Sequence, residues 1–389
     1  MILLLSSMAG AQWEPDVKLS TNETAAVLNE NMGRCLIATG DTLHVVWKDA
    51  KNKDQAIYYK RSTDKGATWS PETRISTAPG ADSFPLLAQS GSTLHLVFLR
   101  NGDSSQSVSY YKRSTDGGLT WGPDVALGNS KWWPGVAAAG SMVYVSLNTV
   151  YADDAKNSVV YFRRSADNGT TWDAQQQISL AHRRIGGRAE DPAIMADGKY
   201  VHMVWNDNRD AVPGKGMSVY YRRSSDMGAT WGPQTPLTHA PDYTYCPTIS
   251  LAGSHVDVAF ADRQSGTYHI CHLHSADFGT TWDAKDQITT AGGGEFYPAI
   301  VRDNSNVHMV WTGKEGIMYL HSSTGAGHWD PAVNLAQKGA MPFITVAGDA
   351  VHVIFMSRRD GHNAIYYKRN PTGNKPEGGQ APAPRPSNR

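Results

Sequence analysis

The sequence predicts an all-β fold: a seven-bladed β-propeller of four-stranded antiparallel blades whose ring is closed by the N-terminal strand. Three observations predict it. First, the octapeptide Ser-x-Asp-x-Gly-x-Thr-Trp recurs at Ser62 to Trp69, Ser114 to Trp121, Ser165 to Trp172, Ser224 to Trp231 and Ser275 to Trp282, with a decayed copy at Ser322 to Trp329. Second, successive motif tryptophans are 52, 51, 59, 51 and 47 residues apart, the period of a four-stranded blade rather than of a helical repeat. Third, seven segments read as second strands, namely Leu43 to Trp47, Leu94 to Phe98, Val143 to Leu147, Val201 to Trp205, Val256 to Phe260, Val307 to Trp311 and Val351 to Phe355, against only six octapeptides.

The octapeptide is first of all a hairpin-fixing device. Its Asp can accept from backbone N–H groups of its own turn, its Gly supplies a positive φ, and its Trp covers the turn with apolar area.

In chain order, Met1-Ile2-Leu3-Leu4-Leu5 runs into Ala9-Gly10-Ala11, so residues 1–11 read as the end of a secretory signal with an A-x-A cleavage site before Gln12. A secreted or periplasmic protein is expected. The propeller is placed over residues 12–370. Trp13 to Ser20 matches the strand that follows each octapeptide but has no blade before it, so it is expected to pair with Ile365 to Arg369 and remove the sheet edge at the seam.

Within a blade, the inner strand is typified by Pro85-Leu86-Leu87-Ala88 and the second by Leu43-His44-Val45-Val46-Trp47. The third is typified by Ile57-Tyr58-Tyr59-Lys60-Arg61, and the fourth starts at the motif Trp and runs through Arg74-Ile75-Ser76. β-Branched and aromatic residues dominate all four. Residues 371–389, rich in Pro and Gly, read as a disordered tail.

Lys plus Arg equal Asp plus Glu at 36 each, so net charge gives no reason to expect nucleic acid or an anionic membrane as partner. No segment after the N-terminus is long and apolar enough to span a bilayer. A soluble monomer is expected, with no cofactor and no metal. Cys246 and Cys271 fall on the first and third strands of one blade and are too far apart to bridge. With Cys35 they are expected as three buried thiols.

Octapeptide turns lie on one face of a propeller, while inner-strand starts and the loops between second and third strands lie on the other. Function is expected on that second face. Counting back nine residues from each second strand gives Pro85, Pro134, Pro192, Pro247, Pro298 and Pro342, but Arg34 in blade one. The residues just before the prolines are irregular: Asp82 and Phe84, Trp132 and Trp133, Arg188, Glu190 and Asp191, Tyr243 and Tyr245, and Glu295, Phe296 and Tyr297. Aromatic rings beside Arg and carboxylates suit a carbohydrate, whose C–H faces stack on rings while its hydroxyls and acids take charged partners. The loops opposite add Asp49, Asp54, Arg100, Tyr151, Asp207, Arg209, Asp262, Arg263, Arg358, Arg359 and Asp360, where recurring Asp-x-Arg or Asp-Arg also fits a structural ion pair that ties the loop down.

Through Ser62-Thr63-Asp64-Lys65-Gly66-Ala67-Thr68-Trp69 and its copies the chain resembles the sialidase superfamily of Asp-box (bacterial neuraminidase repeat) propellers, over nearly all of residues 12–370. The resemblance implies an arginine triad that clamps a sugar carboxylate, a tyrosine nucleophile polarised by a glutamate, and an aspartate acid/base. Carried over by order along the chain, these are Arg34, Arg209 and Arg263, then Tyr297 with Glu190, and Asp49 or Asp54 with Asp82 as a further option. The family usually carries Arg-Ile-Pro where this chain has Arg34-Cys35-Leu36, and six blades where seven are counted here.

Three functions remain open at this point. One is an exported exo-glycosidase that removes sialic acid or a related acidic sugar. The second is a non-catalytic glycan-binding or scaffold propeller using Trp132, Trp133 and Tyr245. The third is a lyase on uronic acids with a base such as Tyr243 or His362. A glycan is the expected partner in each.

Overall fold

The computed structural model describes residues 13–21, 25–29, 34–51, 55–101, 107–150, 157–180, 186–210, 216–239, 243–264, 266–290, 293–325 and 327–373. The expected signal segment and most of the tail lie outside the described residues, as do Asp54 and Tyr151. Seven four-stranded antiparallel sheets form the ring. Blade one comprises Leu36–Thr39, Thr42–Asp49, Ala56–Ser62 and Thr73–Arg74. Blade seven combines Gly339–Ala347, Ala350–Ser357 and Ala364–Asn370 with the N-terminal Val17–Lys18, whose register is Val17 opposite Tyr367 and Lys18 opposite Tyr366. The seam therefore lies inside blade seven, as the unmatched N-terminal strand predicts.

Two repeated contacts join the blades. Each motif Trp stands edge-on to an aromatic ring in the third strand of the preceding blade. The pairs are Trp69 with Tyr367, Trp121 with Tyr59, Trp172 with Tyr111, Trp231 with Phe162, Trp282 with Tyr221 and Trp329 with His272. Trp13 on Tyr319 completes the set at 5.0 Å and 76°, so the N-terminal strand supplies the seventh contact as well as the seventh outer strand. Edge-to-face geometry sets the positive ring edge against the negative face, a gain of about 0.5–1.5 kcal/mol per pair beyond area burial.

The Asp box supplies the second contact. Gly66 N donates to Ser62 Oγ at 2.8 Å, Ser62 Oγ donates to Asp64, and Thr68 N donates to Asp64 Oδ1 at 2.9 Å. Hydrogen bonds from Thr68, side chain first and backbone second, hold the Asp64 carboxyl below its ordinary range. Gly66 has φ +83°, and a Cβ there would lie 1.9 Å from Tyr367 Oη. The glycine thus serves both the turn and the fit of one blade onto the next. Arg369 Nη1 donates to Lys65 O at 2.8 Å, and Arg61, Arg113, Arg164 and Arg223 reach the corresponding carbonyls of the boxes that follow them. The recurring arginine is a clasp between blades.

Cys35 and Cys271 are buried free thiols, but Cys246 is only half-buried, which corrects the expectation of three buried thiols. It lies at a bend in the inner strand rather than within a regular ladder.

Candidate functional site

Six inner strands begin with the same distortion. Phe84, Trp133, Asp191, Cys246, Tyr297 and Met341, each immediately before a repeat proline, have φ between +34° and +55°. At each the pairing with the second strand slips, as between Glu190 and Ala193 or between Tyr245 and Thr248. Proline has no N–H to give the ladder, so the strand bulges there and re-aims the side chains before it. A left-handed non-glycine residue costs on the order of 1–2 kcal/mol, and this ring of bulges holds six of them around one end of the axis. That end is the face expected to carry function.

Blades four, five and six meet there in a polar and aromatic cluster. Arg188 grips Glu190 through both oxygens, Nε to Oε1 at 2.5 Å and Nη2 to Oε2 at 2.8 Å; Glu190 is buried, whereas the Arg188 side chain is 46% exposed. Tyr243 and Tyr245 stack with centroids 5.2 Å apart, and Tyr245 Oη donates to Tyr243 Oη at 3.4 Å. Burial, then that hydrogen bond, raises the Tyr245 phenol, while the charge of Arg188 acts the other way. The aromatic run continues from Tyr245 to Tyr268 (5.7 Å), Tyr268 to Phe296 (4.5 Å) and Phe296 to Tyr297 (6.1 Å). Arg263 is exposed, with its guanidinium 5.9 Å from the Tyr268 ring.

Asp191 sits beneath this cluster. Asn206 Nδ2 donates to its Oδ2 at 2.8 Å, and burial, with the Glu190 charge second, raises its pKa to about 7. Glu295 is also pushed up by burial. Across the opening, Phe84, Trp133 and Trp132 form a second aromatic run, with centroids 6.2 and 5.8 Å apart, and Lys131 Nζ lies 4.0 Å from the Trp132 ring.

The other residues singled out in the sequence lie in different settings. Arg34 lines the axial shaft. Arg209 is held by Asp207 at 2.5 Å and by Leu180 O at 3.0 Å, and it covers the Tyr220 ring. The three arginines of the proposed triad therefore have three separate environments: the shaft, a loop clasp and an exposed hairpin. Asp82 is buried and takes both donors of Arg100, at 2.7 and 3.1 Å, and Arg100 also reaches Asp124 at 2.8 Å. Asp49 is buried 3.6 Å from Lys51, which also pairs with Glu72. These carboxylates tie loops to outer strands. Glu190, with both oxygens on Arg188, has that arginine as its partner, whereas Tyr297 packs against apolar residues of the main core.

Tyr268 was not singled out by sequence reasoning, although a signal existed. Its strand reads Ile270-Cys271-His272-Leu273-His274, where blade one has Ile57-Tyr58-Tyr59-Lys60-Arg61. That departure marks blade five as different.

The fold and its boxes define an Asp-box propeller, in agreement with the resemblance carried by the octapeptides. The chain belongs to the BNR repeat-like domain family, which matches residues 152–353. Among solved structures, it is similar to the polysaccharide lyase Uly1 at TM-score 0.63 and 8% identity, over 92% of this chain and 99% of that one. It is similar to the Hadza microbial sialidase Hz136 at TM-score 0.50 and 13% identity, over 84% and 73% of the two chains. It is also similar to the α-L-arabinofuranosidase Arb93A of Fusarium graminearum at TM-score 0.50 and 16% identity, over 73% and 91%. At these identities the likeness is one of fold. No curated protein matches the sequence.

Proposed function

We propose that this chain is a carbohydrate-active propeller that takes an acidic sugar, a sialic or uronic acid unit, into the bulge-side opening between blades four and six and cleaves the glycan there. The observation that carries this reading is the cluster of Arg188 beside the stacked Tyr243 and Tyr245. A half-exposed guanidinium suits a carboxylate, and stacked rings suit the C–H face of a pyranose. The similar structures, a polysaccharide lyase, a sialidase and an arabinofuranosidase, are in keeping with a sugar substrate. In this reading Tyr243, whose oxygen accepts from Tyr245, is the nucleophile or base, a neutral phenol being suited to approach an anionic sugar. Arg188 and Arg263 hold the carboxylate, and Asp191 stores a proton near neutrality.

The test is incubation of the purified chain with a fluorogenic aryl sialoside and, separately, with polyuronates followed for an unsaturated product absorbing in the ultraviolet. Release of fluorophore identifies a hydrolase, and a new ultraviolet band identifies a lyase. Tyr243→Phe should abolish either activity while glycan binding survives; an unchanged rate would remove Tyr243 from the chemistry.

One observation favours a second reading, glycan binding without cleavage. Both oxygens of Glu190 are held by Arg188 two residues away, an arrangement that suits a structural ion pair better than a base that polarises a nucleophile. Saturable glycan binding with no product from either substrate class would select it.

A further inference from the structure

The inner strands of the seven blades stand side by side around the axis and leave a shaft between them. Arg34 lines both halves of that shaft. Toward the bulge face its neighbours include Leu36, Ile249, Ala299 and Phe343. Toward the Asp-box face they include Thr39, Gln89 and Thr345. No carboxylate lines either half among the described residues. Within the same residues the Arg34 guanidinium has neither a hydrogen bond nor an ion pair. At its level six of the seven blades place proline, which brings no charge and no N–H, so Arg34 is a single positive charge in a channel whose other lining side chains carry no charge.

Such a charge is costly. A guanidinium cannot shed its proton at neutral pH, and burial lowers the pKa of Arg34 only to about 10. An unpaired cation withdrawn from bulk water destabilises a fold strongly, and a counter-charge is the ordinary remedy. Here the described protein supplies none.

We propose that the axial shaft binds a small monovalent anion, chloride or a one-carbon carboxylate, against the guanidinium of Arg34, as an ion site separate from the sugar-binding opening. One positive charge calls for one negative charge. The mostly aliphatic side chains of the bulge-side half favour a compact, weakly hydrated ion over a sugar, whose hydroxyls would find few side-chain partners there.

The experiment compares thermal unfolding midpoints of the full chain in sodium chloride, sodium formate and sodium gluconate at equal ionic strength. Gluconate is the bulky control, and the chloride and formate arms distinguish a halide from a carboxylate. The expected result is a saturable rise of at least about 2 °C in chloride or formate over gluconate, as anion binding to the folded state alone requires, and its loss in Arg34→Gln. Equal midpoints in the three salts overturn the proposal, as does a rise that persists unchanged in Arg34→Gln. Should Arg34→Gln fail to fold, crystals of the unaltered chain soaked in sodium bromide decide the matter. An anomalous peak within hydrogen-bond distance of the guanidinium supports the site, and a shaft without one overturns it.

Discussion

Lowering the pH from 7 to 5 should destabilise this propeller through five buried histidines. His44, His95, His202, His308 and His352 occupy one repeat position on the second strands, and each Nδ1 lies 2.7, 2.7, 2.6, 2.8 and 2.7 Å, respectively, from the hydroxyl of Tyr59, Tyr111, Tyr221, Tyr319 or Tyr367. Burial first, and then a neighbouring positive group, lowers their pKa values to about 4, 4, 3, 3 and 4. In the unfolded chain the same imidazoles titrate near the ordinary value of 6.5. The unfolded state therefore takes up protons first as the pH falls, and stability that is complete above about pH 7 is lost from about 6.5 down toward the folded values. Integrating from pH 7 to 5 gives a loss of about 2 kcal/mol per histidine and about 9 for all five. Asp191 opposes this. Its folded pKa of about 7 is raised above the ordinary 3.8, so the folded state gains the proton and recovers about 2 kcal/mol over the same interval. The net loss of about 7 kcal/mol is comparable to the whole stability of an ordinary domain. Urea unfolding followed by tryptophan fluorescence at fixed ionic strength between pH 7 and 5 should show a net uptake of about three to four protons on unfolding near pH 5. An uptake of one proton or fewer would refute the account, as would resonances of these five imidazoles that titrate near 6.5 in the folded chain.

Gly66→Ala should cost more than about 3 kcal/mol, because it forces a Cβ to 1.9 Å from Tyr367 Oη at a positive φ, whereas Gly40→Ala, with φ +56° and open space around it, should cost only about 1. Denaturant midpoints of the two variants check the difference. Trp13→Ala should lower stability by about 2–3 kcal/mol, and removal of residues 1–21 should expose the edge at Tyr366 and Tyr367 and lead to association, seen as a concentration-dependent shift in size-exclusion elution.

Most of the architecture was legible because it is written seven times. Periods between tryptophans set the blade, and the unmatched strand at Trp13 to Ser20 set the closure. The site was legible only in part. Position along the chain specifies which blade a residue belongs to and which face it is near, but not its distance from the axis. Arg34, Arg209 and Arg263 thus follow a plausible order while one lies in the shaft, one in a clasp and one on a hairpin tip. The bulges were not foreseen either, since they arise from pairing between strands; the prolines that mark them were visible without their consequence. Asp207 shows the converse. Arg209 lies two residues from Asp207, so that structural ion pair could be weighed from sequence, whereas the pairing of Asp82 with Arg100 across a hairpin emerges only in the structure.

Repetition also supplies a reference against which one junction stands out. Between blades five and six, Cys271-His272-Leu273-His274 replaces the usual Tyr-Tyr-Lys-Arg, and the receiving box has lost its aspartate, Thr324 standing in that place. The clasp is rebuilt from buried charge. Arg302 pairs with Asp257 through Nε and, at 2.9 Å, through Nη2; His272 bonds the same carboxylate at 2.8 Å; and Arg302 Nη2 also donates to Gly325 O at 2.6 Å. The ordinary clasp at Arg61 is one 3.3 Å hydrogen bond to Gly117 O from a half-buried side chain, so Arg61→Met should cost about 1 kcal/mol. Arg302→Met instead leaves the fully buried Asp257 carboxylate with His272 alone among these two partners and should cost about 3 kcal/mol, because the desolvation of Asp257 persists after its main charge partner is gone. Adding Asp257→Leu to Arg302→Met removes that under-compensated charge and should restore part of the loss. Urea denaturation of the three variants makes the comparison; if Arg302→Met cost no more than Arg61→Met, or if the second substitution only deepened the loss, the junction would owe its stability to packing rather than to the ion cluster.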